Sequence, residues 1–79
     1  MTDNTPRPLH VIARDIRANW ARPYFGAVPY LEALSGLEKI SDNYGYDSGR
    51  SIVAYFLSNA ATWRGAEARR IKAELKTLA

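Results

Sequence analysis

The stretch from Ser48 to Leu78 constrains the fold most, because its apolar residues recur at the spacing of an α-helix. They are Ile52, Val53, Phe56, Leu57 and Ala60 in the first half and Ala68, Ile71, Leu75 and Leu78 in the second. A stripe of this kind along one side of a helix packs against other elements, while the polar side faces water. Both halves are therefore predicted to be amphipathic helices.

Length and composition indicate that these halves are two helices, although the apolar stripe keeps its phase across the junction. A single helix of about 30 residues would span about 45 Å, whereas the expected radius of gyration is near ~12 Å. Ser58 and Asn59 are poor residues for a helix interior. Thr62 can cap a helix, and Gly65 weakens one. We therefore predict a break between Asn59 and Trp63.

The first predicted helix lies near the start of the chain. Thr5 can cap it, and Pro6 and Pro8 suit its first turn, where a missing backbone N–H costs nothing. Its apolar face consists of Leu9, Ile12, Ala13, Ile16 and Trp20. Pro23 ends the helix after about Ala21, because the residue before a proline is pushed out of the α region.

A second, shorter helix is predicted after this turn. Pro29 suits its first turn, and the helix is expected to stop near residues 38–40. Its apolar stripe consists of Tyr30, Leu31, Leu34 and Leu37. The polar segment 41–48 is predicted to be a loop, because Asp, Asn, Ser and Gly bond their own backbone or accept positive φ. Asp47 or Ser48 then caps the third helix.

Length and composition indicate a single helical domain over residues 1–79, with a disordered tail at residues 1–4. The chain has no cysteine and no apolar run near the roughly 18 residues that a membrane span needs. It is therefore expected to be cytoplasmic, with no membrane partner. The predicted fold is all-α, a compact bundle of three to four short helices. Its predicted core contains Leu9, Ile12, Ile16, Trp20, Leu31, Leu34, Ile52, Phe56, Leu57, Ile71 and Leu75.

Charge is unevenly distributed along the chain. Residues 1–22 carry +2, residues 48–79 carry +4, and the acidic segment 23–47 carries −3. The acidic segment has tyrosines in its connections, and tyrosine is favoured where a surface must be both apolar and hydrogen-bonding. We therefore predict a non-catalytic protein-interaction module, with a homodimer as an open alternative. The candidate residues are Tyr24, Tyr44, Tyr46, Asp42 and Asp47, and a helical hairpin would bring their loops to one end.

The alternative is a nucleic-acid-binding module that uses the basic helix 64–76 and the arginines of the first helix. Its candidate residues are Arg14, Arg17, Arg64, Arg69, Lys72 and Lys76, each able to add a salt-sensitive phosphate contact. The acidic segment does not favour such a partner. Pairing of Arg70 with Glu67 and with Glu74 would also neutralise part of the surface. No polar set at a helix N-terminus indicates base readout.

No catalytic, cofactor or metal site is predicted, and an enzyme is not expected. His10 is the sole imidazole and lies beside Arg14 on a polar helix face. Ser51 and Ser58 have no general base within sequence reach. The acidic loop at 42–47 lacks the ligand spacing and the final glutamate of an EF-hand.

Several segments together resemble those of a known group of proteins. They are Trp20, Pro23-Tyr24, Pro29-Tyr30-Leu31, residues 44–48, residues 56–60 and residues 63–65. On these segments the chain resembles a group of small uncharacterised proteins from actinobacteria and their phages or integrated elements. The resemblance covers most of the chain from the first helix onward. Because that group has no assigned activity, it implies an accessory or regulatory factor of phage or mobile-element type and no site residues.

Overall fold

A computed structural model of the chain describes residues 6–78, which form four helices and one two-stranded hairpin. The helices are α1 (Leu9–Asn19), α2 (Val28–Leu34), α3 (Gly49–Ser58) and α4 (Ala66–Leu78), and the strands are β1 (Asn43–Tyr44) and β2 (Asp47–Ser48). The fold is mostly helical, as predicted, but the all-α prediction is wrong for residues 43–48. The predicted disordered tail at residues 1–4 and the predicted cap at Thr5 lie outside the described residues.

The hairpin forms within the segment that composition predicts to be a loop. Its strands are antiparallel, with Asn43 opposite Ser48 and Tyr44 opposite Asp47. Gly45 at the turn has a φ of 65°, a left-handed value that glycine adopts without steric cost. Strands of two residues are too short to show the polar and apolar alternation by which strands are recognised, so the pattern does not predict them.

α1 begins later and ends earlier than the apolar pattern predicts. Pro8 precedes the helix with an extended backbone, at φ −56° and ψ 145°. The amides of the first two helical residues donate to the carbonyls of Glu38 and Leu37, each at 2.9 Å. These long-range bonds satisfy amides that have no partner within the helix. At the other end Trp20 is extended, at φ −130° and ψ 90°, which stops the helix.

α2 has Pro29 in its first turn, as predicted, but ends at Leu34, short of the predicted stop. Tighter turns follow it, in which the amide of Gly36 donates to the carbonyl of Ala33 and that of Leu37 to Leu34, both at 3.1 Å. Such turns commonly finish a helix because they satisfy its last carbonyls. They also bury Leu37 in the core, as its place on the predicted stripe requires.

α3 and α4 are separate helices, which confirms the predicted break. α3 ends at Ser58 and α4 begins at Ala66, so the predicted cap at Thr62 is wrong. Gly65 precedes α4 with a φ of 111°, and this left-handed backbone reverses the chain. The molecule is 36 Å in its longest dimension, less than the roughly 45 Å that one unbroken helix would need.

The connection between α3 and α4 places Trp63 in the core. Its ring stacks on Trp20 at a centroid distance of 5.3 Å, and Phe56 meets both rings edge-on at 6.2 and 6.5 Å. The indole Nε1 of Trp63 donates to the carbonyl of Asn19 at 3.2 Å, so its polar group is satisfied. Both tryptophans are buried, as predicted.

Each of the four helices of residues 6–78 contacts the next, and α4 also packs on α1. The end of α1 meets the start of α4 at Trp63, and the start of α1 meets the end of α4 through Arg7 and Glu74. Every predicted core residue is buried except Leu57, which is half-buried at the core's edge. None of the helices described is long and apolar enough to cross a membrane.

Candidate functional site

The hairpin, residues 43–48, is fixed at its base by backbone hydrogen bonds. The amide of Gly49 donates to the carbonyl of Asp42 at 2.6 Å, and that of Arg50 donates to Ile40 at 3.0 Å. These bonds join the segment before the hairpin to the first turn of α3. Both ends of the hairpin are therefore held in place by the same small set of bonds.

Two side chains reinforce this base. The hydroxyl of Ser48 accepts from the amide of Ser51 at 3.1 Å, so Ser48 caps α3 and the predicted cap is confirmed. Oδ2 of Asp42 accepts from the amides of Lys39 at 2.9 Å and Glu38 at 3.2 Å. A carboxylate that binds neighbouring amides stabilises a turn. The structure therefore assigns Asp42 a role in supporting the hairpin.

Gly49 is required at the base because no side chain fits there. A Cβ atom at this position would lie 2.9 Å from the carbonyl oxygens of both Lys39 and Ile40. The absence of a side chain lets the first turn of α3 approach the segment 38–42 closely. The hairpin is held against the body of the molecule by this close packing.

The tip of the hairpin, in contrast, is exposed. Tyr46 has a relative exposure of 109%, and Tyr44 of 51%. Asp47 is also exposed, and no heavy atom lies within 4 Å of a Cβ built at Gly45. Tyr46 therefore buries no apolar surface in the fold, and packing does not explain why an aromatic residue occupies the tip.

Tyr24 lies far from the other two candidate tyrosines. It lines a shallow hollow with Ser58 and Asn59, at the end of α3, whereas the hairpin precedes the start of α3. A ten-residue helix is about 15 Å long, so the two loops lie at opposite ends of it. The expected single patch of Tyr24, Tyr44 and Tyr46 is wrong, because α2 reverses the chain between them.

Local packing accounts for Tyr24, and one exposed aromatic side chain, that of Tyr55, is absent from the sequence-based candidates. The ring of Tyr24 covers Gly26 and packs on Phe25, with the ring centroids 4.8 Å apart. Phe25 itself is 79% exposed. Tyr55 on α3 is 46% exposed and packs on Tyr30 of α2 at 5.4 Å. Tyr55 lies beside the apolar stripe of α3 and not on it, and this position is the sequence signal that could have indicated an exposed aromatic side chain.

The basic candidates do not form one surface. Arg69, Lys72 and Lys76 are three and four residues apart, so they share one side of α4. Arg14 and Arg17 share a side of α1, but α1 faces α4 with another side, that of Asp15, which pairs with Arg70. The two basic sets therefore lie on outer flanks that point away from the α1–α4 contact. We call Arg64, Arg69, Lys72 and Lys76 the basic flank.

Between α1 and α4 lies a network of opposite charges. Arg7 donates to Glu74 at 2.8 Å and to Asp15 at 3.1 Å, and Arg70 donates to Asp15 at 3.2 Å and to Glu67 at 3.1 Å. Thus Arg70 pairs with Glu67 as predicted, but Glu74 pairs with Arg7 instead. Partial burial opposes ionisation of Asp15, but hydrogen bonds from Arg7 and Arg70 outweigh it and lower the pKa of Asp15.

The hydroxyl groups of Ser51 and Ser58 have structural partners. Ser51 is bonded to Ser48, and the hydroxyl of Ser58 donates to the carbonyl of Ala54 at 3.1 Å, one helical turn earlier. His10 is half-buried on α1. Within residues 6–78 no group of three or more His, Asp or Glu side chains is placed to hold a metal ion.

No protein-family model, curated protein or solved structure matches the chain. The resemblance to small actinobacterial and phage proteins therefore stays a prediction. Function has to be inferred from the exposed side chains, their supports and their charges.

Proposed function

We propose that the protein is a non-catalytic protein-binding module whose contact surface is the tip of the hairpin. The observation that carries this proposal is Tyr46, a wholly exposed aromatic residue at the tip of a hairpin whose base is tightly fixed. Tyrosines are enriched among the few residues that supply most binding energy in protein interfaces. A role as an accessory or regulatory factor of phage or mobile-element type is proposed from the resemblance alone.

The energy available from these side chains is sufficient for a specific contact. An aromatic side chain buries about 150–250 Å², which is worth roughly 4–6 kcal/mol at about 25 cal/mol per Å² before the costs of association. The fixed base lowers one of those costs, because the hairpin backbone is already ordered when the partner arrives. Tyr44 and Tyr46 on a rigid support therefore bind more strongly than the same residues on a free loop.

The charge around the hairpin favours a basic partner surface. Residues 38–47 carry a net charge of −2, and the carboxylate of Asp47 is exposed beside the tyrosines. Exposed charges at the edge of an interface mainly steer the encounter, while buried aromatic side chains slow dissociation. A partner with lysine or arginine around an apolar hollow fits both features.

Site-specific photocrosslinking tests this surface and identifies the partner. A photoreactive phenylalanine analogue at position 46 should form a covalent adduct with one protein in nuclease-treated host lysate. The matched control carries the same analogue at position 25, because Phe25 is also exposed but packs on Tyr24, which lies at the other end of α3. Equal adducts from both positions, or adducts from position 25 alone, would contradict the proposal.

A further inference from the structure

The charges on α4 are sorted onto two sides of the helix. Glu67, Arg70 and Glu74, spaced by three and four residues, face α1 and take part in the ion pairs there. Arg69, Lys72 and Lys76 of the basic flank lie on the other side, and Arg64 precedes the helix. Within residues 6–78, none of its four side chains forms an ion pair with a carboxylate. Both acidic residues of α4, Glu67 and Glu74, therefore form their ion pairs on the side that faces α1, and neither pairs with the basic flank.

Like charges are close together on the basic flank. The ammonium group of Lys72 donates to the carbonyl of Trp63 at 2.6 Å, which fixes its position and leaves two of its three protons for other acceptors. Burial, followed by the charges of Lys76 and Arg64, lowers the pKa of Lys72. An anion bound among these side chains would relieve their mutual repulsion.

We infer that the basic flank is a second binding surface, which holds a nucleic acid by its phosphate backbone. It is separate from the hairpin, and neither proposal depends on the other. Cations that recur along one side of a helix can contact several phosphates of a strand, and Arg69, Lys72 and Lys76 recur in this way on α4, with Arg64 just before the helix. Arg14 and Arg17 take no part in this contact because they lie on the outer flank of α1.

The surroundings of the basic flank favour a nucleic acid over a membrane or an acidic protein. A helix that lies on a membrane needs an exposed apolar face, but the apolar residues Ala68, Ile71 and Leu75 of α4 are buried in the core. Protein interfaces are held by exposed aromatic side chains, and those of residues 6–78 lie on the hairpin, in the α1–α2 turn and on α3. The basic flank can therefore bind a partner through its charged side chains alone, and proteins contact phosphate backbones mainly through such side chains.

Fluorescence anisotropy with a labelled 20-base-pair duplex DNA and a 20-nucleotide RNA tests the inference. If the duplex makes four phosphate contacts, a plot of the logarithm of the association constant against the logarithm of the salt concentration should have a slope of about −3.6. Between 50 and 200 mM salt the affinity should therefore fall roughly 100-fold. Arg69→Glu with Lys76→Glu should reduce the steepness of the slope by about 2 and abolish binding at 200 mM salt.

The matched control is Arg14→Glu with Arg17→Glu, because each pair of reversals changes the net charge from +3 to −1. All four residues are exposed, so melting temperatures should stay near the parent's, and glutamine versions serve if a reversed pair unfolds. Retention of binding by the control pair supports the inference. Equal loss in both pairs would overturn it by showing that only net charge matters. Absence of binding at 50 mM salt, or binding only to phosphatidylserine vesicles, would also overturn it.

Discussion

Replacing Gly49 with alanine should destabilise the fold, although alanine is the better helix former. The new Cβ would lie 2.9 Å from two carbonyl oxygens, about 0.5 Å closer than an ordinary contact of 3.4 Å. Neither oxygen can retreat freely, because that of Lys39 accepts from the amide of Asp42 and that of Ile40 from Arg50, both at 3.0 Å. Overpacking of this kind costs about 1–3 kcal/mol, and a strained hydrogen bond adds about 0.5–1.5. Allowing for the gain in propensity, we expect a net loss of about 2 kcal/mol.

Thermal unfolding followed by far-ultraviolet circular dichroism measures this loss. In a domain of this size 2 kcal/mol lowers the melting temperature by about 8–16 °C. Gly36→Ala is the matched control, because its Cβ would lie 3.7 Å from the carbonyl of Ala33, an ordinary contact. That change should instead stabilise the fold by about 0.4–1 kcal/mol, through the unfolded chain. A Gly49→Ala variant that melts at or above the parent's temperature would refute the close packing at the hairpin base.

Two further predictions concern the core and the charge network. Phe56→Ala removes the ring that meets both tryptophans and should cost about 3–5 kcal/mol, at least about a quarter of the roughly 4–12 kcal/mol expected for a chain of this length. Urea unfolding within about 1 kcal/mol of the parent would show that the core is misplaced. Because the pKa of Asp15 is lowered in the fold, its ion pairs stabilise above the unfolded pKa of about 3.9, and that stabilisation is lost as pH falls through the folded value. Asp15→Asn should therefore lower the melting temperature near neutral pH but not in strong acid. Asp47→Asn, an exposed control, should leave the melting temperature unchanged at both pH values. A melting temperature of Asp15→Asn that stays below the parent's in strong acid would contradict this account.

The helices could be predicted from the sequence because their signals are local. The apolar stripes place α1, α3 and α4 on the core, and they bury Trp20 and Phe56 as expected. The ends of a helix are harder to predict where distant residues supply their hydrogen-bond partners. α1 starts at Leu9 because carbonyls of Glu38 and Leu37 receive its first amides, and no local pattern encodes that contact.

The candidate surfaces could be predicted only in part, because they depend on the direction of each helix. The exposure of Tyr44 and Tyr46 follows from their polar, glycine-containing segment. The separation of Tyr24 from them depends on where α2 reverses the chain. In the same way Arg70 and Glu74 are four residues apart, yet Glu74 pairs with Arg7, which lies 67 residues away. Contacts at that range cannot be inferred from spacing along one helix.

The most direct test of the proposed binding surface is the dissociation rate of the complex with the partner captured at position 46. Tyr46→Ala should raise that rate at least about 30-fold, the equivalent of a hot-spot loss of about 2 kcal/mol. Its melting temperature should remain the parent's, because Tyr46 packs on nothing in the fold. Phe25→Ala should leave the rate unchanged. A dissociation rate for Tyr46→Ala equal to that of the parent would contradict the hairpin as the binding surface.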